Sequence, residues 1–237
     1  GVRLAFVFAF ALAVAATILQ QILIEEDPPK SAVESSSKAP EKNPMKLLRE
    51  MSPSLKRLLV SDILVRFCEQ IPYAFVVVWS MKTISTPVTA LSFGILTAIE
   101  MITAMLVYIP VAYLADKTTK KPFVVITFGF FTIFPVVLLF CQSFQWLILA
   151  FILRGLKEFG EPTRKALIMD LAPEDRKAAM FGLYYLLRDI VVSIAAFGGA
   201  FLWQIGPSTN FMVAFLFGVA GTAFFALYGT DFPNNEQ

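Results

Sequence analysis

Seven stretches of this chain are each apolar over about the twenty residues that a helix needs to cross the hydrocarbon of a bilayer. They run at about 4–24, 56–81, 88–115, 122–141, 145–170, 178–204 and 210–230. No water-soluble core of this size would absorb them. Of the residues, 57% are hydrophobic and 16% charged, against roughly 45–50% and 25% in soluble domains, and mean hydropathy is +0.69. The fold class that follows is an all-α membrane protein, a bundle of seven spans. The fifth stretch is the weakest of them. Its apolar run from Phe144 to Leu156 is short and charges begin at Arg154, so hydropathy alone would end it near Gly160.

The connections are short except between Glu25 and Leu55. There Pro28, Pro29, Ser35, Ser36, Ser37, Pro40 and Pro44 stand among mixed charges and read as a flexible tether. The chain therefore divides into 1–25, a linker over 26–55, and 56–237. Arg3 ahead of an apolar run with Ala13, Ala15 and Ala16 has the look of a secretory signal, but the run exceeds the usual 7–15 residues of such a signal. With Gly1 in place of an initiator methionine, the expectation is a true span in a sequence that begins mid-protein.

Positive loops stay cytoplasmic. Lys30, Lys38, Lys42, Lys46, Arg49, Lys56 and Arg57 fall in or next to the linker, Lys117, Lys120 and Lys121 between the third and fourth spans, and Arg176 and Lys177 between the fifth and sixth. Only Arg3 and Lys82 face the other way. This predicts an external N-terminus and a cytoplasmic C-terminus, in a plasma or inner membrane.

Several function classes fall away on composition. There is no histidine, and the two cysteines, Cys68 and Cys141, lie inside apolar runs. No His/Cys metal cluster, His-based triad or disulfide framework can be built from them. No G-x-x-x-x-G-K or G-x-G-x-x-G loop is present to cradle a phosphate, and no cofactor is expected. The net charge of +2 is spread over short loops, so no nucleic-acid partner is expected either. The 24 phenylalanines, Phe128, Phe130, Phe131 and Phe134 among them, read as lipid-facing or packing residues. Gly198 and Gly199 read as allowing close helix contact.

Charges at membrane depth are the informative residues, because an Asp, Lys or Arg at a helix centre costs ~2.5–3.5 kcal/mol on insertion scales. Asp62, Arg66 and Glu69 follow i, i+4, i+7 and share one helix face, with Tyr73 a turn further on. Facing lipid together they would cost on the order of 8–10 kcal/mol, comparable with the stability of a whole domain. They line a cavity or a helix interface, either handling solute and protons or with Arg66 as a structural counter-ion. Glu100 has no base within a turn, so it is either protonated or paired across helices. Arg188 and Asp189 are adjacent and point ~100° apart, which predicts that they do not share a face. Arg188 is a candidate for holding an anionic solute group or for pairing with an acid of the second span.

The fifth span carries Arg154, Lys157, Glu158, Glu161, Arg164 and Lys165. The i, i+4 pairs Arg154–Glu158, Lys157–Glu161 and Glu161–Lys165 predict a stripe that neutralises itself. Gly160 and Pro162 predict a bend within it. The alternative is a helix that emerges into water after Gly160.

Ala112-Tyr113-Leu114-Ala115-Asp116-Lys117-Thr118-Thr119-Lys120-Lys121 resembles the G-x-L-a-D-r-x-G-R-K loop motif of the major facilitator superfamily. Ala112 and Thr119 replace its glycines and lysines its arginines, as in the weaker copy of the C-terminal half. A second match runs from Arg154 and Gly155 through Gly160, Pro162, Ala166, Asp170, Pro173 and Arg176 to Gly182. It is similar to the superfamily's pattern from a mid-helix arginine through an Asp-x-x-Pro loop into the next helix. The resemblance implies that the spans are helices six to twelve of a twelve-helix transporter. On that reading 1–25 is the last helix of the N-terminal bundle, 26–55 the cytoplasmic central linker and 56–237 the C-terminal six-helix bundle. It carries the fifth span through to about Asp170 and implies inverted three-helix repeats with solute bound near the midplane. It further implies that Asp116, Lys117, Lys120 and Lys121 latch the cytoplasmic side, and that Arg154 holds the mid-helix position linked to proton coupling in the N-terminal copy.

The functional expectation is a secondary active transporter of a small organic solute, driven by protons through alternating access, and not an enzyme. Its partners would be the solute, protons, the lipid bilayer and the N-terminal helices absent from this chain. Glu69, Glu100 and Asp62 are the candidate proton carriers. Arg66, Tyr73, Trp79 and Arg188 are the candidate solute contacts, with Arg154, Glu158 and Glu161 in a gate. Two other classes remain in view. A seven-helix receptor or photoreceptor shares the topology, although the span 210–230 lacks the lysine that a retinal Schiff base requires. A membrane-embedded hydrolase would need a nucleophile and base at a spacing not visible here.

Overall fold

A computed structural model describes residues 2–23 and 44–231, and every element among them is helical. The chain forms two compact units, Gly1–Ala39 and Pro40–Gln237. In the first, helix α1 (Val2–Leu23) has 22 residues and Arg3 as its only charge. At 1.5 Å per residue it is about 33 Å long, enough for the hydrocarbon of a bilayer. Of the linker, 26–43 lies outside the described residues.

The second unit opens with a short helix, α2 (Pro44–Glu50), which falls within the stretch expected as linker and seats Leu47 against α9 (Lys177–Ile205). Ser52 then caps α3 (Pro53–Gln70): its Oγ accepts from the Leu55 amide at 3.2 Å and donates to the Leu171 carbonyl at 3.1 Å. Pro53 follows at the first turn, where its missing N–H has no intrahelical partner to lose. Pro72 interrupts the ladder again, and the span continues as α4 (Phe75–Val78) and a π-helical turn over Trp79–Thr83. Beyond it come α5 (Ala90–Asp116), α6 (Lys121–Phe140), α7 (Phe144–Leu156), α8 (Glu161–Leu171), α9 and α10 (Pro207–Tyr228).

Six helical segments among the described residues are long and apolar enough to cross a membrane: Arg3–Leu23, Pro53–Thr83, Ala90–Ala115, Lys121–Phe140, Glu174–Ile205 and Pro207–Tyr228. The remaining expected span, the fifth at 145–170, is instead a broken helix. Its halves, α7 and α8, have 13 and 11 residues. The break falls where Gly160 and Pro162 predict a bend. Proline lacks the N–H that would reach the Glu158 carbonyl, and that carbonyl accepts instead from Glu161 N at 3.3 Å. The Gly160 amide leaves the helix ladder and donates to Thr127 Oγ1 of α6 at 2.5 Å.

Helix α10 packs against α3, α6 and α9, while α5 packs chiefly on α7. Gly199 permits one of these close crossings: a Cβ there would lie 2.2 Å from the Ile71 carbonyl oxygen. Its neighbour Gly198 has open space around it. Two apolar clusters cap the unit. One gathers Leu55, Leu58, Phe128, Leu167, Met180 and Phe225. The other gathers Val76, Trp79, Phe134, Leu147, Phe151 and Phe211. Along α3–α4 and, in reverse order, along α7–α8, the charged residues lie between these clusters.

Candidate functional site

Asp62, Arg66 and Glu69 sit midway along the first span of the bundle, as the shared helix face predicts, and pair with one another and with residues of other helices. Arg164 of α8 pairs with Asp62, both side chains being 1% exposed. Tyr184 of α9 donates to the same carboxylate at 3.0 Å, and Arg66 and Arg188 approach it at 3.7 and 3.6 Å. Arg66 donates to Glu69 at 2.7 Å and to Glu161 at 3.1 Å. Glu161 in turn accepts from Arg164 at 2.5 Å. Lys157 ties Glu69 at 2.7 Å to Glu100 at 3.7 Å, and Arg154 reaches Glu100 at 3.3 Å. The result is a continuous ladder of acids and bases drawn from α3, α5, α8, α9 and the end of α7. Buried charges in low dielectric require such pairing.

Aromatic faces complete the surroundings. Phe131 lies beneath Arg66 at 4.9 Å and Lys157 at 5.6 Å, and Tyr185 beneath Arg188 at 4.1 Å. Three polar atoms of the ladder are buried without a hydrogen-bond partner: Asp62 Oδ1, Arg66 Nε and Arg188 Nη1. They come from three residues that approach one another on α3 and α9, so unmet polar capacity is concentrated at one place. A small pocket lined by Glu69, Tyr73, Phe131, Phe134, Arg154 and Lys157 opens beside it.

The self-neutralising stripe expected of the fifth span does not form. Arg154 turns to Glu100 and Lys157 to Glu69, both across helices, because the break between α7 and α8 ends the i, i+4 register on which the stripe depended. Only Glu161–Lys165 persists, at 4.0 Å with Lys165 half exposed. Glu158 makes no side-chain hydrogen bond or ion pair among the described residues. Glu100 takes the second of its two expected forms, pairing across helices. Arg188 and Asp189, expected to diverge, do pair, with Nε to Oδ1 at 2.8 Å. The guanidinium is long enough to curl back over the backbone while its other nitrogen approaches Asp62.

Tyr73 lies past the end of α3 with its ring 5.7 Å from the Arg154 guanidinium. Trp79 does not join the ladder. It is buried, donates Nε1–H to the Leu138 carbonyl at 3.0 Å and meets Phe211 edge to face. Of the expected latch, Lys120 pairs with Asp170 at the end of α8, and Lys117 packs on Tyr113 of its own helix. The Asp116 side chain lies outside the described residues. Lys121 is held through its backbone, whose amide donates to Asp231 at 2.6 Å.

Sequence reasoning named Arg164 only among the charges of the fifth span, not as a partner of Asp62, and passed over Tyr184. A signal existed: the face of α3 carries two acids for one base, so another base had to come from elsewhere, and the fifth span held four candidates. Neither cysteine joins the site. Both are free thiols, Cys68 Sγ lying 3.3 Å from the Phe131 carbonyl.

The sequence model of the Major Facilitator Superfamily matches residues 63–237, which includes the latter part of α3 and every later helix. The chain belongs to the Major Facilitator Superfamily. It is accordingly a multi-pass integral membrane protein of a transporter family. No curated protein matches the chain at a significant level.

Proposed function

We propose that this superfamily member is a proton-coupled secondary transporter of a small organic solute, working by alternating access with a second helical bundle. The observation that carries the reading is the ladder itself, in which charges from the middle of four spans are paired both along their own helices and across to other spans. Such pairs can exchange partners when helices rock, so that access and protonation change together. Asp62, Glu69 and Glu100 are the carboxyls available to carry the proton. Arg66, Tyr73 and Arg188 are the groups available to polar parts of the solute, supported by the unmet hydrogen-bonding atoms of Arg66 and Arg188. The buried, hydrogen-bonded Trp79 supports the wall of the bundle instead.

The Lys120–Asp170 pair ties the loop before α6 to the end of α8 and would latch the side on which Lys117, Lys121, Arg176 and Lys177 lie. The positive-inside rule supports reading that side, and the C-terminus with it, as cytoplasmic. The partner bundle would be the N-terminal helices of the same transporter, of which α1 is the last.

The test is solute-dependent proton movement in proteoliposomes carrying an entrapped pH dye, run over amines, amino acids, carboxylates and sugars. Glu69→Gln should abolish pH-driven uptake of the solute so found while counterflow exchange persists. Unchanged uptake and exchange would make Glu69 structural.

A further inference from the structure

Helix α6 has no cap from its own loop. Lys120 occupies the cap position, and an ammonium group has only donors, so it can accept nothing from the first amides of the helix. Its charge is also disfavoured beside the positive end of a helix. The missing acceptor comes from a residue 110 positions away: Asp231 Oδ2 accepts from the Lys121 amide at 2.6 Å. A carboxylate is the charge that a helix N-terminus favours. The other oxygen, Oδ1, is buried without a hydrogen-bond partner, so the head of α6 is what this carboxylate binds among the described residues. The path that brings it there is specific. Gly229 leaves α10 in an extended conformation, and its amide donates to the Phe225 carbonyl at 2.7 Å. A Cβ at Gly229 would lie 2.4 Å from that same oxygen, so no other residue fits this close approach. Arg57 of α3 donates to the Tyr228 carbonyl at 3.4 Å. The segment 228–231 is thereby fastened to the starts of both α3 and α6.

We propose that Asp231 is a positioning residue for the Lys120–Asp170 latch: docked on the head of α6, it holds Lys120 where its side chain meets Asp170. The Lys121 amide belongs to the planar peptide that joins it to Lys120, so fixing that amide fixes the frame from which the Lys120 side chain departs. That side chain pairs with Asp170 in the last turn of α8. The same helix carries Glu161 and Arg164 of the ladder. Hydrogen bonds and ion pairs thus lead from the end of α10, through the head of α6, to the helix that holds Asp62. Lifting 229–231 away removes the cap, leaves Lys120 against a bare helix end and releases the pair. The proposal rests on the transport reading only in treating that pair as a latch.

The experiment measures the distance between nitroxide labels at Thr119→Cys and Lys165→Cys, by pulsed electron resonance on the full chain in proteoliposomes. Cys68 and Cys141 are buried and stay unlabelled. Asp231→Ala should produce a longer-distance population, enriched about fivefold over the unsubstituted chain, as expected for loss of one helix cap. Asp231→Asn keeps an acceptor oxygen in place and should retain most of the short distance. Lys120→Ala should give the same lengthening, and the double variant no more than either alone, because both act on one pair. That shared limit separates positioning from a general loosening of the fold. Gly229→Ala, which displaces the segment but keeps the carboxylate, should repeat the effect and decides the matter if Asp231→Ala does not fold. An unmoved distance in Asp231→Ala or Gly229→Ala, or independent lengthenings that add in the double variant, would overturn the role. Lengthening as expected in a chain without solute-linked proton flux would keep the positioning role and remove the transport reading. Flux with an unmoved distance would do the opposite.

Discussion

Glu158 and Glu161 stand on either side of one helical break and meet opposite surroundings. Glu161 is gripped by Arg66 and Arg164 inside the ladder, while Glu158 makes no direct ion pair among the described residues and lines an open groove with Met101 and Met105. The same residue type three positions apart thus serves two purposes, and the turn at 157–160 separates them. In the ladder, charge holds helices together. At Glu158 the carboxylate holds no helix through a direct ion pair.

The contrast can be broken most severely at Arg164. Replacing it with methionine keeps the volume but leaves Asp62 and Glu161 without their most buried base. Breaking one partner of a buried pair costs about 3–5 kcal/mol, so Arg164→Met should unfold at markedly lower temperature in detergent, and an unshifted melt would show the ladder to be dispensable. A finer comparison sets the two glutamates against each other. Glu161→Gln should cost about 1–3 kcal/mol through weakened charge-assisted bonds, whereas Glu158→Gln should stay within about 0.5 kcal/mol. Equal losses in paired denaturation curves would erase the distinction. The smallest effect is expected at the edge of the bundle, where the Lys120–Asp170 pair is partly exposed. Lys120→Ala should change stability by at most about 1 kcal/mol, less at high salt, which matched melts at low and high ionic strength would read.

The spans were legible because hydropathy is a local property. The face shared by Asp62, Arg66 and Glu69 was legible because helical periodicity is local too, and the bend at Gly160 and Pro162 followed from backbone chemistry. Pairing was not legible in the same way. The i, i+4 rule sees only neighbours on one helix, so it gave Arg154 to Glu158, while the folded bundle gives Arg154 to Glu100 of α5. That choice depends on how closely α5 and α7 approach. Gly155 permits the approach, since a Cβ there would sit 2.6 Å from the Glu100 carbonyl oxygen, and nothing in the spacing of charges reports it. Trp79 illustrates the reverse error: an aromatic near a span end looked available to solute, but its indole N–H is taken by the Leu138 carbonyl.

The position of α10 bears on how the protein is made. It is the last helix described and the one that α3, α6 and α9 all pack against, so it emerges from the ribosome after every element it binds. Until it arrives, the glycine-matched surfaces of α3 and α6 remain open to lipid or to chaperoning factors in the membrane. Only Gly206 separates Ile205 from Pro207, so α9 and α10 would enter the bilayer together as one hairpin. A message truncated ahead of Pro207 would therefore yield spans that insert but cannot close into a bundle, a natural substrate for membrane quality control.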